Sequence, residues 1–379
     1  MERKLNKKKV VIVILIFILI ILTITLSILY EKNTSVRALL DEYFFRKNIT
    51  ENTLPKISIE NCHTYSFDEY IVCLEKNVLT FYNKSAVKVS SLDLEISDPI
   101  FKTNGKFLCI AEKNGSKLYL ISDKNVVWQK NIEGTISNLS LNKHGYVALT
   151  IADTTYKNLC KVFDENGSEL FTTYLSQSYI IDSSISEDNK LLALAETNFS
   201  GITIQSNVKI ISIEKALSNS TDTIQYNYTA PVDNLVTNIE FCKDNNLVCL
   251  YDNHIDIIKD NTCKEITNFE SNNILFADIN NKIIQIEKRN TGMLSSEFEL
   301  QLLDVLTLEK KIYSLDKEPK SIEVLGNIIA INFGTELLFI NNSGWLVKNY
   351  TSSQEVQSVV LSDDLAGIIF KNKIEILSL

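Results

Sequence analysis

Three observations predict an all-β fold, a β-propeller of eight four-stranded blades preceded by one N-terminal transmembrane helix. A turn–strand–strand cycle recurs eight times between Leu54 and Leu379, about 41 residues per copy, the spacing of four-stranded propeller blades. A lone strand precedes the first copy, and the last copy stops one strand short. Long helical periodicity is absent from the body of the chain, which argues against an alternating α/β fold.

The repeat is carried by short apolar runs. The second strands read Ile71–Leu74, Phe107–Ile110, Val147–Thr150, Leu191–Leu194, Leu247–Leu250, Ile283–Ile286, Ile328–Ile331 and Ala366–Ile369. Most follow a tight-turn pair: Asn104-Gly105, His144-Gly145, Asp188-Asn189, Asn245-Asn246, Asn280-Asn281 or Asp363-Asp364. Asn and Gly tolerate the positive φ such hairpins need. An alternating third strand comes next, at residues 78–83, 117–122, 159–164, 208–213, 254–259, 298–303, 336–341 and 373–378. Seven blades would average about 47 residues, a longer repeat that needs insertions.

The two ends complement each other. The final copy ends after its third strand, and Leu54–Glu60 is an orphan strand. Rings of this kind close when one terminus completes the blade of the other, which removes an exposed sheet edge.

Ahead of the repeats, Val10 to Tyr30 is 21 residues without a charge. At 1.5 Å per residue it spans about 31 Å, matching a hydrocarbon core of roughly 30 Å. It is longer than a signal-peptide core and lacks a small-residue cleavage site, so an uncleaved anchor is expected. Lys7, Lys8 and Lys9 flank it and predict a cytoplasmic N-terminus with the body outside. The domain scheme is a cytoplasmic tail (1–9), a transmembrane helix (10–30), a stalk (31–53) and an extracytoplasmic propeller (54–379). Within the stalk, Ser35 to Lys47 has helical spacing and a plausible Ser cap.

Charge excludes some partners. The first nine residues carry five cations and one acid, which leaves −13 on the remaining 370 of a chain whose net charge is −9. Such a body is repelled by nucleic acids and by anionic headgroups.

The seven cysteines are an odd number with no C-x-x-C. A two-residue Asn245-Asn246 loop would set Cys242 across from Cys249, at about 4.5–5.5 Å between Cβ atoms. Either a disulfide or two buried thiols fits that spacing.

The turn–strand–strand cycle, with Val127-Trp128-Gln129-Lys130 closing the second copy, resembles WD40-like and quinoprotein-like propellers. With its anchor, the whole chain is similar to an uncharacterised family of membrane-anchored propellers from low-GC Gram-positive bacteria. The resemblance implies a propeller outside the cytoplasm and no particular activity. The chain departs from quinoprotein dehydrogenases in having two Trp, Trp128 and Trp345, and it lacks the Trp-Asp blade ending.

Chemistry-bearing motifs are sparse. There is no G-x-S-x-G elbow, phosphate-binding glycine loop or H-E-x-x-H. Asp164–Ser168 has the alternating oxygens of a calcium loop, but Glu169 and Leu175 occupy its required Gly and Glu positions, so a hairpin turn is expected. The three histidines, His63, His144 and His254, fall in different copies and read as surface or capping residues. Clustered carboxylates at a central channel are not discernible.

No catalytic, metal or cofactor residue is therefore assigned. The expected function is a tethered protein- or peptide-binding scaffold at the cell envelope, without a small-molecule substrate or nucleic acid. The alternative is an extracellular propeller enzyme, a glycan lyase or a quinone-type dehydrogenase. Extra loop length in the fourth copy, at Asn198–Asn207 and Leu217–Asn227, marks the preferred contact region.

Overall fold

The computed structural model describes residues 7–32, 36, 40, 48–50, 54–218, 220–269, 273–290, 296–362 and 364–379. Helix α1, Lys7–Lys32, contains the apolar run. Its residues Ile12 to Leu29 are exposed, and it is long and apolar enough to cross a membrane. Thr23 and Thr25 turn their hydroxyls back onto the carbonyls of Ile20 and Ile21, both at 2.8 Å, which hides the only two threonine hydroxyls in the span. Of the expected stalk helix only Val36 and Leu40 are described, both helical. The rest of that segment lies outside the described residues.

Eight separate sheets follow, so the eight-blade count holds over seven. In seven blades strands a to d run in sequence order, and in the eighth the fourth strand comes from the start of the chain. The a strands are His63–Phe67, Pro99–Asn104, Thr135–Leu141, Tyr179–Ile185, Val236–Phe241, Ile274–Ile279, Ser321–Leu325 and Ser358–Leu361. These a strands pack against one another around a central channel, so they form the inner ring. The b strands coincide with the eight apolar runs and are buried on both faces, as Phe107–Glu112 shows. That double burial explains why they read as continuous apolar stretches while outer strands such as Lys88–Asp93 are largely exposed.

The core is not one mass but eight wedges, one between each pair of neighbouring blades. Alternate residues of a b strand serve different wedges. Cys249 faces blade 4, while Val248 and Leu250 face blade 6. This geometry corrects the register expected for the cysteine pair, and of the two alternatives it has the buried thiols. Blade 5 turns through a short 3-10 segment, Lys243–Asn245, with Asp244 and Asn245 at φ of 57° and 54°, not through a two-residue loop. Cys249 therefore pairs with Ile239, and Cys242 opposes Asn246 through a 2.8 Å N–H···O bond. The two thiols lie free on opposite faces of the sheet.

The ring closes as its ends require. Lys56–Ser58 pairs antiparallel with Lys373–Ser378, becoming the fourth strand of the last blade. Ile57 plugs the wedge between blades 8 and 1. Beside it, the fully buried Glu375 receives Tyr350 Oη and Lys373 Nζ, both at 2.7 Å, and Lys56 Nζ at 3.3 Å. A buried carboxylate is tolerable only with such partners. Asn48–Thr50 adds an unforeseen fifth strand, parallel to the outer strand of blade 7.

Inner strands have one unpaired edge, and neighbouring side chains satisfy it. Asp182 Oδ2 accepts Ile239 N–H and Ser184 Oγ accepts Phe241 N–H, each at 3.0 Å. Asn104 and Asn142 donate to Leu141 and Ser186 carbonyls, each at 3.1 Å. Blades are thus stitched by polar groups at the ring's centre and by apolar wedges farther out.

Candidate functional site

Because strands alternate in direction, every blade sends its a–b and c–d turns to one face of the disc and its b–c and blade-to-blade loops to the other. The two candidate loops of blade 4 consequently part company. Leu217–Asn227 connects strands c and d after the short helix α2, Ile213–Leu217. Asn198–Asn207 spans the b–c connection and lies on the opposite face. Helix α1 marks the first of these faces. Tyr30 at its end is buried against Trp345, in the c–d turn of blade 7, with ring centroids 4.5 Å apart. We call this the near face and the other the far face.

On the far face, blades 3 to 5 present an aromatic strip. Tyr156 and Tyr174 lie 4.8 Å apart, and Tyr179 and Phe199 6.2 Å apart. Lys157 joins the two pairs. Its Nζ sits 4.8 Å over the Tyr179 ring and donates to Gln177 O at 3.0 Å and to Ser200 Oγ at 2.8 Å. Beyond Phe199, Ile202 stands fully exposed at the loop tip. The loop beneath it is fixed: Ile204 and Asp233 exchange two hydrogen bonds, at 3.0 and 3.2 Å. The exposed Val232 adjoins that clasp. An apolar, aromatic surface held on tied-down loops is suited to docking, because little order is lost on contact.

The channel holds the second constellation, and here the sequence reading is overturned. Asp182, Glu240, Asp278 and Glu323, on the inner strands of four consecutive blades, form a cluster of interacting charges with Lys102 of blade 2. Burial raises all four carboxyls above their usual range. Glu240 is pushed up to about 8 by burial and then by Asp278 and Asp182, against the pull of Lys102. Glu323 is raised to about 7 by the protein mass around it and then by Asp278, but its side chain is exposed to the channel, so it is the least desolvated of the four. In Asp182 the bond from Ile239 N–H partly offsets the burial. One-residue bulges in the inner strands of blades 3 to 6 re-aim the side chains that follow, Asp182 among them. The sequence signal was a single charged residue in the inner strand of five copies, Lys102 in the second and the four acids in the fourth to seventh.

His254 also differs from its reading as a surface residue. It is buried, stacked on Tyr251 at 4.2 Å, with Nε2 3.4 Å from Asp256. Cys263 donates to the same carboxylate at 3.4 Å. Burial and Asp256 push that thiol up to about 12, which holds it protonated and hydrogen-bonded within the His254–Asp256 network. Among the described residues no group of three His, Cys, Asp or Glu could hold a metal ion. Asp164 caps its own hairpin, accepting Asn166 and Ser168 N–H at 2.9 and 2.7 Å, as expected of a turn. Lys7, Lys8, Lys9 and Val10 open α1, and Tyr30 nearly ends it.

Among solved structures, the C-terminal WD40 domain of Sif2 is similar at 12% identity, covering 86% of this chain and 99% of its own, with a TM-score of 0.57. Dihydro-heme d1 dehydrogenase NirN, in complex with DHE, is similar at 9% identity, covering 92% and 82%, with a TM-score of 0.53. At such identities the likeness shows the propeller fold alone. No curated protein matches the chain. A family model does match, over residues 43–379, and the chain belongs to that family of unknown function, DUF5711.

Proposed function

We propose that this chain is a membrane-tethered, extracytoplasmic binding propeller that docks a protein or peptide partner at the cell envelope through its far face. The observation that carries this reading is the Tyr156–Tyr179–Phe199–Ile202 strip, a fixed apolar surface that folding alone leaves uncovered. The exposed apolar helix meets the opposite face, so an anchored disc would turn the strip away from the bilayer. The Lys7–Lys9 flank favours a body outside the cytoplasm. The body's −13 charge favours neutral or basic partners.

A photo-crosslinking residue placed at Ile202 in intact membranes tests the proposal, with Val87 on the near face as control. Position 202 should give a discrete adduct that Phe199→Ser abolishes. An identical adduct pattern at both positions would reject the far-face assignment. The channel carboxylates favour a second reading, an enzyme acting on envelope glycans with Glu240 or Glu323 as a proton donor near neutral pH. Product release from wall glycans that Glu240→Gln and Glu323→Gln abolish, with the Ile202 adduct unchanged, would establish it.

A further inference from the structure

From the near face we infer that the corner formed by blades 6 and 7 sits in the bilayer interface as a second membrane contact, so that the disc is held against the membrane at a fixed attitude. The inference rests on reading α1 as the membrane anchor. Tyr30 ends the apolar run and stacks on Trp345, so this indole stands one ring's width from where α1 leaves hydrocarbon. Trp345 nevertheless keeps 40% of its surface exposed. Its turn is rigid: Asn341 Oδ1 accepts the N–H of both Ser343 and Trp345 at 3.0 Å.

The neighbouring blade supplies the rest of the surface. Leu306 stands at the rim of a hollow of about 270 Å³ that it lines with Lys243, Lys282, Asn342 and Ser343, a mix of apolar and cationic groups of the kind that meets lipid headgroups. Leu306 is 50% exposed and Leu308 is 37% exposed. Leu308 also has φ of 59°, a left-handed conformation that suits Gly or Asn and strains a leucine. Asp304 fixes that turn, accepting Leu306 and Thr307 N–H through Oδ1 at 3.0 Å. Folding gains nothing from a strained leucine in water; a bilayer interface gives it a use. Indole and leucine on a fixed ledge beside a helix end match the chemistry of the headgroup boundary, where aromatic rings collect.

The test uses the full chain in phosphatidylcholine vesicles. The emission difference between wild type and Trp345→Phe isolates the exposed indole, since the other, Trp128, is buried. Vesicles brominated in their acyl chains should quench that difference about twofold, and aqueous iodide should quench it weakly. The double change Leu306→Glu and Leu308→Glu should restore most of the emission. Equal emission in brominated and plain vesicles, with free access to iodide and with the chain resisting carbonate extraction, overturns the inference while leaving the anchor. A chain washed off by carbonate overturns the anchor reading and this inference with it.

Discussion

Glu240→Gln should stabilise the propeller, and increasingly so as pH rises. The folded protein holds this proton to about 8, whereas an unfolded chain releases it near 4.5. Below 4.5 both states are protonated and the carboxyl costs nothing. Between 4.5 and 8 the unfolded chain ionises first, so wild type loses stability with rising pH, and above 8 the loss is complete. At about 1.4 kcal/mol per pH unit the ceiling is near 5 kcal/mol. Channel water and coupling to Asp278 and Asp182 reduce this, and we expect about 2 kcal/mol at pH 9. The neutral amide keeps the side chain's shape and removes the term. Thermal melting of both proteins in detergent from pH 4.5 to 9 should show a gap near zero at the acid end, widening to about 3 °C and then flat above pH 8. A pH-independent offset, or a gap that narrows as pH rises, would refute the assignment of Glu240 to a desolvated carboxylate ring.

Three further outcomes are expected. Glu375→Ala removes the buried acceptor shared by Tyr350, Lys373 and Lys56 at the closing strand and should cost about 2–3 kcal/mol, read as an earlier melt, with protease cutting between Leu54 and Glu60. Gly167→Ala places a methyl 2.8 Å from the Trp128 ring at φ of 81°; it should destabilise by about 1–3 kcal/mol and shift Trp128 emission, which unchanged spectra and melting would contradict. Protease added to intact cells stripped of their wall should degrade the body and spare only a small anchor fragment; full protection until lysis would count against the topology.

Much of the architecture was legible because strand periodicity and turn chemistry are local. The apolar runs, the Asn and Gly turns, the orphan Leu54–Glu60 and the unfinished last copy each announce themselves within a few residues, and together they determined the count and the closure. The 21-residue apolar run was equally plain. Sheet register was not. Whether Cys242 faces Cys249 depends on where the turn falls; at Lys243–Asn245 it sets Ile239, three residues from Cys242, opposite Cys249, and any odd shift moves a side chain into another wedge. Nor was the sidedness of the disc legible: two loops of one blade, close in sequence, point to opposite faces. The channel shows the difference most clearly. Asp182, Glu240, Asp278 and Glu323 are spread over some 140 residues, each alone in its strand, and only ring closure makes them neighbours. Their raised proton affinities come from burial and mutual repulsion, and neither exists until the blades meet.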